Sequence, residues 1–191
     1  MGMKINLELS ENDLEHFRNR LKRAREAAGQ ISEEAILSAA ESLLEEVRQG
    51  DTPEFIKNLL EKIADMVNMV RDTAWALPEE NRQRVLSALT YFSDPEDLIP
   101  DDIPGLGYLD DAIMVELLVR ELKHELQAYR DFCAFRTNEA ARRGLKLDES
   151  MDRADWLMAR RKQLHERIRN RRRRDHSRRR VRGGRSAFSL W

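Results

Sequence analysis

The side chains most able to do chemistry are six aspartates concentrated in one short stretch, residues 94–111. Hard divalent cations prefer oxygen ligands, and several of these carboxylates can converge if the stretch folds back on itself. The spacing is not that of a calcium loop, and no histidine or cysteine lies within the stretch to favour zinc. One hypothesis is therefore a divalent-cation site, with a metal-dependent enzyme as its functional counterpart. Its candidate ligands are Asp97, Asp101, Asp110 and Asp111.

A structural role explains the same aspartates without any ligand, and it is the interpretation we favour. Asp94 precedes Pro95, the order typical of a helix N-cap followed by the first helical residue. Asp110 can cap the next helix, with Asp111 in its first turn, where the helix dipole favours a carboxylate. A third alternative is that arginines neutralise partly buried carboxylates of this stretch. The arginines that could do so are those of the tail together with Arg82, Arg84 and Arg120.

The second chemical feature is a run of ten arginines within the 17 residues 169–185. Arginine binds phosphate with two hydrogen bonds and stacks on bases, which lysine does less well. Arginine-rich segments often fold when they bind RNA. The run therefore predicts binding to RNA or another polyanion, through Arg169, Arg171, Arg172, Arg173, Arg174, Arg178, Arg179, Arg180, Arg182 and Arg185.

Two other interpretations of the run stay open. An anionic membrane surface is one, because apolar residues follow at Phe188, Leu190 and Trp191. Neutralisation within the chain is the other. Residues 1–150 hold 19 Lys+Arg and 31 Asp+Glu, a net charge of −12, whereas residues 151–191 hold 15 and 4, a net of +11. A protein partner or a homo-oligomer is also compatible with such a surface.

Other reactive residue types give weaker signals. Glu121 and His124 match half of a di-iron bundle site, but no second copy exists, so we interpret the pair as part of a solvated face. His16, His165 and His176 lie among charged residues and are predicted to be on the surface. Cys133 lies on an apolar stripe and is predicted to be an inert core residue. We expect no cofactor, and a non-enzymatic protein is the favoured class.

Composition limits the remaining classes. The 191 residues are 41% hydrophobic and 36% charged, which suits one domain of long helices plus a tail. The longest stretch without a charge is nine residues, 85–93, whereas a membrane-spanning helix needs about 20. The first residues do not have the apolar segment of a signal peptide. A cytoplasmic protein is the expectation.

Apolar spacing predicts the elements that position these residues. We expect an all-α protein: a compact multi-helix bundle with an ordered Pro/Asp-rich loop and a C-terminal basic helix and tail. The predicted division is a helical domain over 1–145, a helix over 146–168 and a disordered tail over 169–191. The predicted helices begin at capping Ser10, capping Ser32 and capping Thr52, then run over 78–92, over 111–135 and from about Glu149.

The stretch 94–111 is too rich in proline and glycine for a helix and too apolar for a solvated linker. It resembles the signature of the YkvA-like family, a bacterial domain of unknown function that also occurs inside membrane proteins. The resemblance, over about residues 85–120, implies a helix, the loop and a helix, with no established activity or cofactor. In many members the second helix is largely apolar; here it carries Glu116, Arg120, Glu121 and Lys123, against membrane insertion. The loop residues, predicted to be structural or docking elements of a binding or adaptor protein, are Asp94, Pro95, Asp97, Leu98, Ile99, Pro100, Asp101, Ile103, Pro104, Gly107, Tyr108, Leu109, Asp110 and Asp111.

Overall fold

The first two helices begin where the sequence places a capping serine, as predicted. A computed structural model describes residues 8–27, 31–93, 108–145 and 154–181. Helix α1 is Glu11–Ala27 and helix α2 is Glu33–Gln49. The Ser10 hydroxyl accepts a hydrogen bond from the Asp13 amide (3.3 Å), and the Asp13 carboxylate accepts one from the Ser10 amide (2.8 Å). Ser32 likewise accepts from the Ala35 amide at 3.3 Å.

Each of the next two helices has a proline as its N-cap. Helix α3 is Glu54–Arg71 and helix α4 is Glu79–Leu89, with Pro53 and Pro78 as their N-caps. The predicted Thr52 cap is therefore wrong by one residue. The extended backbone of Pro53 (ψ 138°) already aims its carbonyl at the helix, where it accepts from the Lys57 amide at 3.1 Å. A 3₁₀ turn, Thr90–Ser93, follows α4 where the prediction continued the helix.

The long helix predicted over 111–135 is two helices. Helix α5 is Leu109–Glu121 and helix α6 is Lys123–Arg143, separated at Leu122, whose backbone (φ −93°, ψ 15°) leaves helical values. Because Leu122 stays buried, the apolar spacing runs through the break and does not reveal it. Helix α6 ends at Gly144 in the left-handed conformation (φ 64°), as its glycine predicts.

The last helix, α7, is Asp155–Val181 and packs along α6. Leu157, Leu164 and Ile168 of α7 lie in the same apolar core as the other described helices. Residues 169–181, placed by the sequence in a disordered tail whose first part could extend the last helix, continue this helix. The seven helices, with no strand among the described residues, confirm the all-α class and the helical-bundle architecture.

Candidate functional site

One face of α7 anchors the arginine-rich helix to the bundle. Residues three and four apart on a helix share a face, and this face combines the apolar core residues with arginines. Arg161 donates a hydrogen bond to the Ala74 carbonyl at 3.0 Å, and Arg167 pairs with the Asp131 carboxylate. Burial alone would raise the pKa of Asp131, but interactions that include the hydrogen bond from Arg167 lower it overall. These contacts explain why the helix stays formed despite its like charges.

Farther along α7, Arg172 enters a buried ion network. The side chain of Glu125 is 1% exposed, and its Oε1 lies 3.6 Å from Arg172 Nε and 3.9 Å from Arg84 Nε. Arg84 also contacts Glu121 at 3.4 Å. Burial, and next the proximity of Arg172, lower the pKa of Arg84. Two guanidinium groups therefore crowd around one buried carboxylate.

Arg172 also contacts α4. It donates a hydrogen bond to Asn81 Oδ1 at 2.6 Å and lies 3.3 Å from the exposed Glu80 carboxylate. Arg172 of the arginine run is thus held by side chains of the helical body.

The acid within the arginine run provides a further anchor. Asp175 Oδ2 lies 2.7 Å from His124 Nε2 and 3.5 Å from Lys123 Nζ. The hydrogen bond with His124 lowers the pKa of Asp175. Both Glu121 (7% side-chain exposure) and His124 (17%) are thus mostly buried, so their interpretation as a solvated face is wrong. The break at Leu122 and the docking of α7 above it enclose both side chains.

Four arginines of the run face solvent from α7. Arg169, Arg171, Arg173 and Arg174 are exposed, and they form no ion pair with another residue in the described part of the chain. Arg178, Arg179 and Arg180 belong to the same helix, whereas Arg182 and Arg185 lie outside the described residues. Of the predicted polyanion-binding arginines, Arg172 is therefore anchored, whereas Arg169, Arg171, Arg173 and Arg174 are open to an external anion.

His165 does not lie on the surface as predicted. Its ring packs edge-on against buried Trp75, with centroids 4.4 Å apart. Burial, followed by the nearby charges of Arg161 and Arg169, lowers the pKa of His165 to about 4. In the sequence, His165 lies four residues from both Arg161 and Arg169, and these charged neighbours suggested a surface position although the ring faces the core. His16 and His176 are exposed, as predicted.

Cys133 is half-buried, packed against the core rather than fully within it. Burial raises the pKa of the thiol, which keeps it in the less reactive neutral form.

The end of the Pro/Asp-rich stretch forms the start of α5. Tyr108, in the left-handed conformation (φ 64°), is the N-cap, and its carbonyl accepts from the Ala112 amide at 2.9 Å. The predicted Asp110 cap is therefore wrong: the helix begins at Leu109, so Asp110 and Asp111 both lie in its first turn. Both aspartates are buried, make polar interactions within the protein and are favoured there by the helix dipole.

The rest of this stretch lies outside the described residues, namely Asp94, Pro95, Asp97, Leu98, Ile99, Pro100, Asp101, Ile103, Pro104 and Gly107. No three His, Cys, Asp or Glu side chains within the described residues are grouped to hold a metal ion. The divalent-cation hypothesis, two of whose ligands are Asp97 and Asp101, stays a prediction.

Two of the arginines proposed to neutralise loop carboxylates contact residues outside the loop. Arg82 pairs with Glu33 and donates to the Val70 carbonyl at 2.8 Å. Arg120 donates to Glu116 at 2.9 Å.

The sequence interpretation counted Glu125 only among the charges of its helix and missed its buried position. Its signal was nevertheless present, because Glu125 lies three residues after buried Leu122 and four before buried Tyr129, the spacing of an inward-facing position. A charged residue at such a position indicates a buried partner of opposite charge.

Fold and site together define an all-α protein whose basic C-terminal helix is anchored on an acidic helical body. A family model described as a protein of unknown function, DUF1232, matches residues 84–117. The uncharacterized membrane protein YkvA of Bacillus subtilis (strain 168) is 34% identical over 79 residues, which cover 38% of this chain and 73% of YkvA. The chain therefore belongs to the YkvA-like family, as its motif predicted.

No solved structure matches the chain. The segment that the family model matches includes Arg84 and most of α5, whereas α6 and the arginine-rich helix α7 lie beyond it. Within the described residues, no helix combines the length and apolar character needed to cross a membrane.

Proposed function

We propose that this protein is a non-enzymatic RNA-binding or adaptor protein that binds the phosphate backbone through the exposed arginines of α7. The observation that supports the proposal is the solvent exposure of Arg169, Arg171, Arg173 and Arg174 on a helix whose other face is anchored. Four guanidinium groups within six residues match the charge density of a phosphate backbone.

The ion pairs of the anchored face leave the exposed arginines available to an external polyanion. Arg167 and Arg172 pair with the body's acids, Asp131 for the first and Glu80 and Glu125 for the second. An external polyanion therefore does not have to displace those pairs. Contacts of this kind go to phosphate and carry no sequence information, so the expected binding is independent of RNA sequence.

The test is fluorescence anisotropy with a labelled single-stranded RNA of mixed sequence. Replacing Arg171 and Arg174 with Gln should weaken binding on the order of 10- to 30-fold at about 0.1 M salt, because each phosphate contact contributes about 0.7 of a power of salt concentration. The matched control replaces Lys22 and Arg142, which are also exposed and lie on other helices, with Gln.

The control pair should change the affinity by less than about threefold, since unlocalised charge contributes little at this salt concentration. Equal losses in both pairs, or full binding by the Arg171/Arg174 variant, would contradict the proposal.

An anionic membrane surface is a second candidate, favoured by the relative YkvA, which is named as a membrane protein. Juxtamembrane arginines contribute about 1 kcal/mol each to binding at an anionic surface. Flotation with vesicles of phosphatidylcholine, with and without phosphatidylserine, distinguishes the two. Binding only to the vesicles that contain phosphatidylserine, with no binding to RNA, would replace the first proposal with this one.

A further inference from the structure

A cleft of about 630 Å³ lies between the start of α4, the junction of α5 with α6, and the arginine-rich part of α7. Ligand pockets for small molecules occupy about 300–1,000 Å³, so the cleft has room for a molecule of nucleotide size. Its walls come from three separate elements held by the core and by the Asp175–His124 contact. It is therefore a concave space, unlike the outer face of α7.

Among the described residues, more positive than negative side chains line the cleft. The acids are three, Glu80, Glu121 and Asp175, against six cations. The cations are Arg84, Arg120, Lys123, Arg169, Arg172 and Arg173. Arg169 and Arg173 are one helical turn apart on the face that borders the cleft, and neither forms an ion pair with another described residue.

Arg84 and Arg172 in the wall of the cleft already have anionic partners. Both guanidinium groups approach the buried carboxylate of Glu125, at 3.9 and 3.6 Å, while Glu121 lies 3.4 Å from Arg84 and Glu80 lies 3.3 Å from Arg172. The charge that the cleft offers to a ligand is therefore mainly that of the exposed Arg169 and Arg173.

We propose that this cleft binds a phosphorylated small molecule of nucleotide size through Arg169 and Arg173. Each guanidinium group can form a two-hydrogen-bond fork to a phosphate, so the pair suits two linked phosphate groups. Pro78 lines the same cleft and offers apolar surface to the organic part. This binding site shares Arg169 and Arg173 with the RNA-binding face, whereas Arg171 and Arg174 of that face lie outside the cleft.

The test is isothermal titration calorimetry of the full chain with ADP, inorganic pyrophosphate and adenosine as probes. ADP and pyrophosphate should bind, and adenosine should bind at least tenfold more weakly because it lacks the phosphates. Replacing Arg169 and Arg173 with Gln should weaken ADP binding about tenfold or more, the usual effect of losing charge-assisted hydrogen bonds. Replacing both with Lys should recover part of the affinity, since the charge remains and the fork is lost.

The matched control is the Arg171→Gln, Arg174→Gln pair, which removes the same charge from the same helix outside the cleft. It should leave ADP affinity within about twofold while it weakens RNA binding, so failure of one proposal is distinguishable from failure of the other. All four side chains replaced in the two pairs are exposed, and a thermal melt checks that each variant is folded. Absence of ADP and pyrophosphate binding, equal losses in the two pairs, or adenosine binding as tight as ADP would overturn the cleft proposal.

Discussion

At the scale of single residues, Glu125 is where the charges of the helical body and of the arginine-rich helix meet. Its carboxylate is buried between Arg84 and Arg172. A buried ion pair contributes little net stability compared with an apolar replacement, but removing one partner leaves the other charge buried and uncompensated. Glu80 also contacts Arg172, yet its side chain is 81% exposed. The two glutamates therefore differ mainly in burial.

Replacing Glu125 with Gln should lower the free energy of unfolding by about 3–5 kcal/mol, because two guanidinium groups lose their buried counter-ion. Replacing Glu80 with Gln should change it by less than about 1 kcal/mol, as for exposed pairs. Urea denaturation followed by circular dichroism measures both. Similar values for the two variants would mean that the network around Arg172 is not effectively buried.

His165 makes stability depend on pH. Its pKa is about 4 in the folded chain and about 6.5 when unfolded. The unfolded chain thus binds more protons between these values, so stability is complete above about pH 6.5 and falls toward pH 4. The expected loss is about 1–2 kcal/mol, once solvent screening of the partly exposed ring is included.

Urea denaturation at several pH values measures this dependence. Replacing His165 with Phe, which keeps a ring against Trp75, should flatten the slope between pH 6.5 and 4. His176→Gln, at an exposed position, is the control and should leave the slope unchanged. An unchanged slope in the Phe variant would show that His165 does not cause it.

At the scale of elements, α7 is a helix because its docked face outweighs the repulsion among its arginines. Leu157, Leu164 and Ile168 bury their side chains in the core, and each fully buried apolar side chain contributes about 1.5–3 kcal/mol. The same segment without the body loses all of that. Its helicity then depends on intrinsic propensity, which like charges three and four residues apart reduce.

A synthetic peptide covering residues 155–181 should therefore be mostly unfolded in water at low salt by circular dichroism. A matched peptide with Gln at 171, 173 and 174 should be more helical, because Gln has nearly the same helix propensity as Arg but no charge. High helicity of the arginine peptide at low salt would contradict a docking-dependent helix.

The elements show which features a sequence can reveal. Ser10 and Ser32 marked helix starts because a cap acts locally, through hydrogen bonds to residues three positions away. The break at Leu122 was hidden because one non-helical residue leaves the apolar spacing intact. The docking of the residues after Ile168 was also hidden, since Arg172 and Asp175 gain partners only through the tertiary fold. Of the site, the arginine run was evident from the sequence, whereas the Glu125 network and the cleft depend on how α4, α6 and α7 pack.

At the scale of the whole molecule, the near-cancelling charges of residues 1–150 (net −12) and 151–191 (net +11) have a structural counterpart. The body's acids neutralise one face of α7 through Asp131, Glu80 and Glu125. The opposite face keeps its charge. Neutralisation within the chain and binding to an external polyanion are therefore compatible, because they use different arginines of the same helix.

The most direct measurement of the central claim is the salt dependence of RNA affinity for the full chain, between about 50 and 200 mM. If six to eight arginines contact phosphate, log K should fall with log salt with a slope of about −4 to −6, at about −0.7 per phosphate on a single strand. The Arg171→Gln, Arg174→Gln variant should reduce the magnitude of the slope by about 1.4. A slope near zero, or a variant slope equal to that of the unmodified chain, would contradict binding through the exposed face of α7.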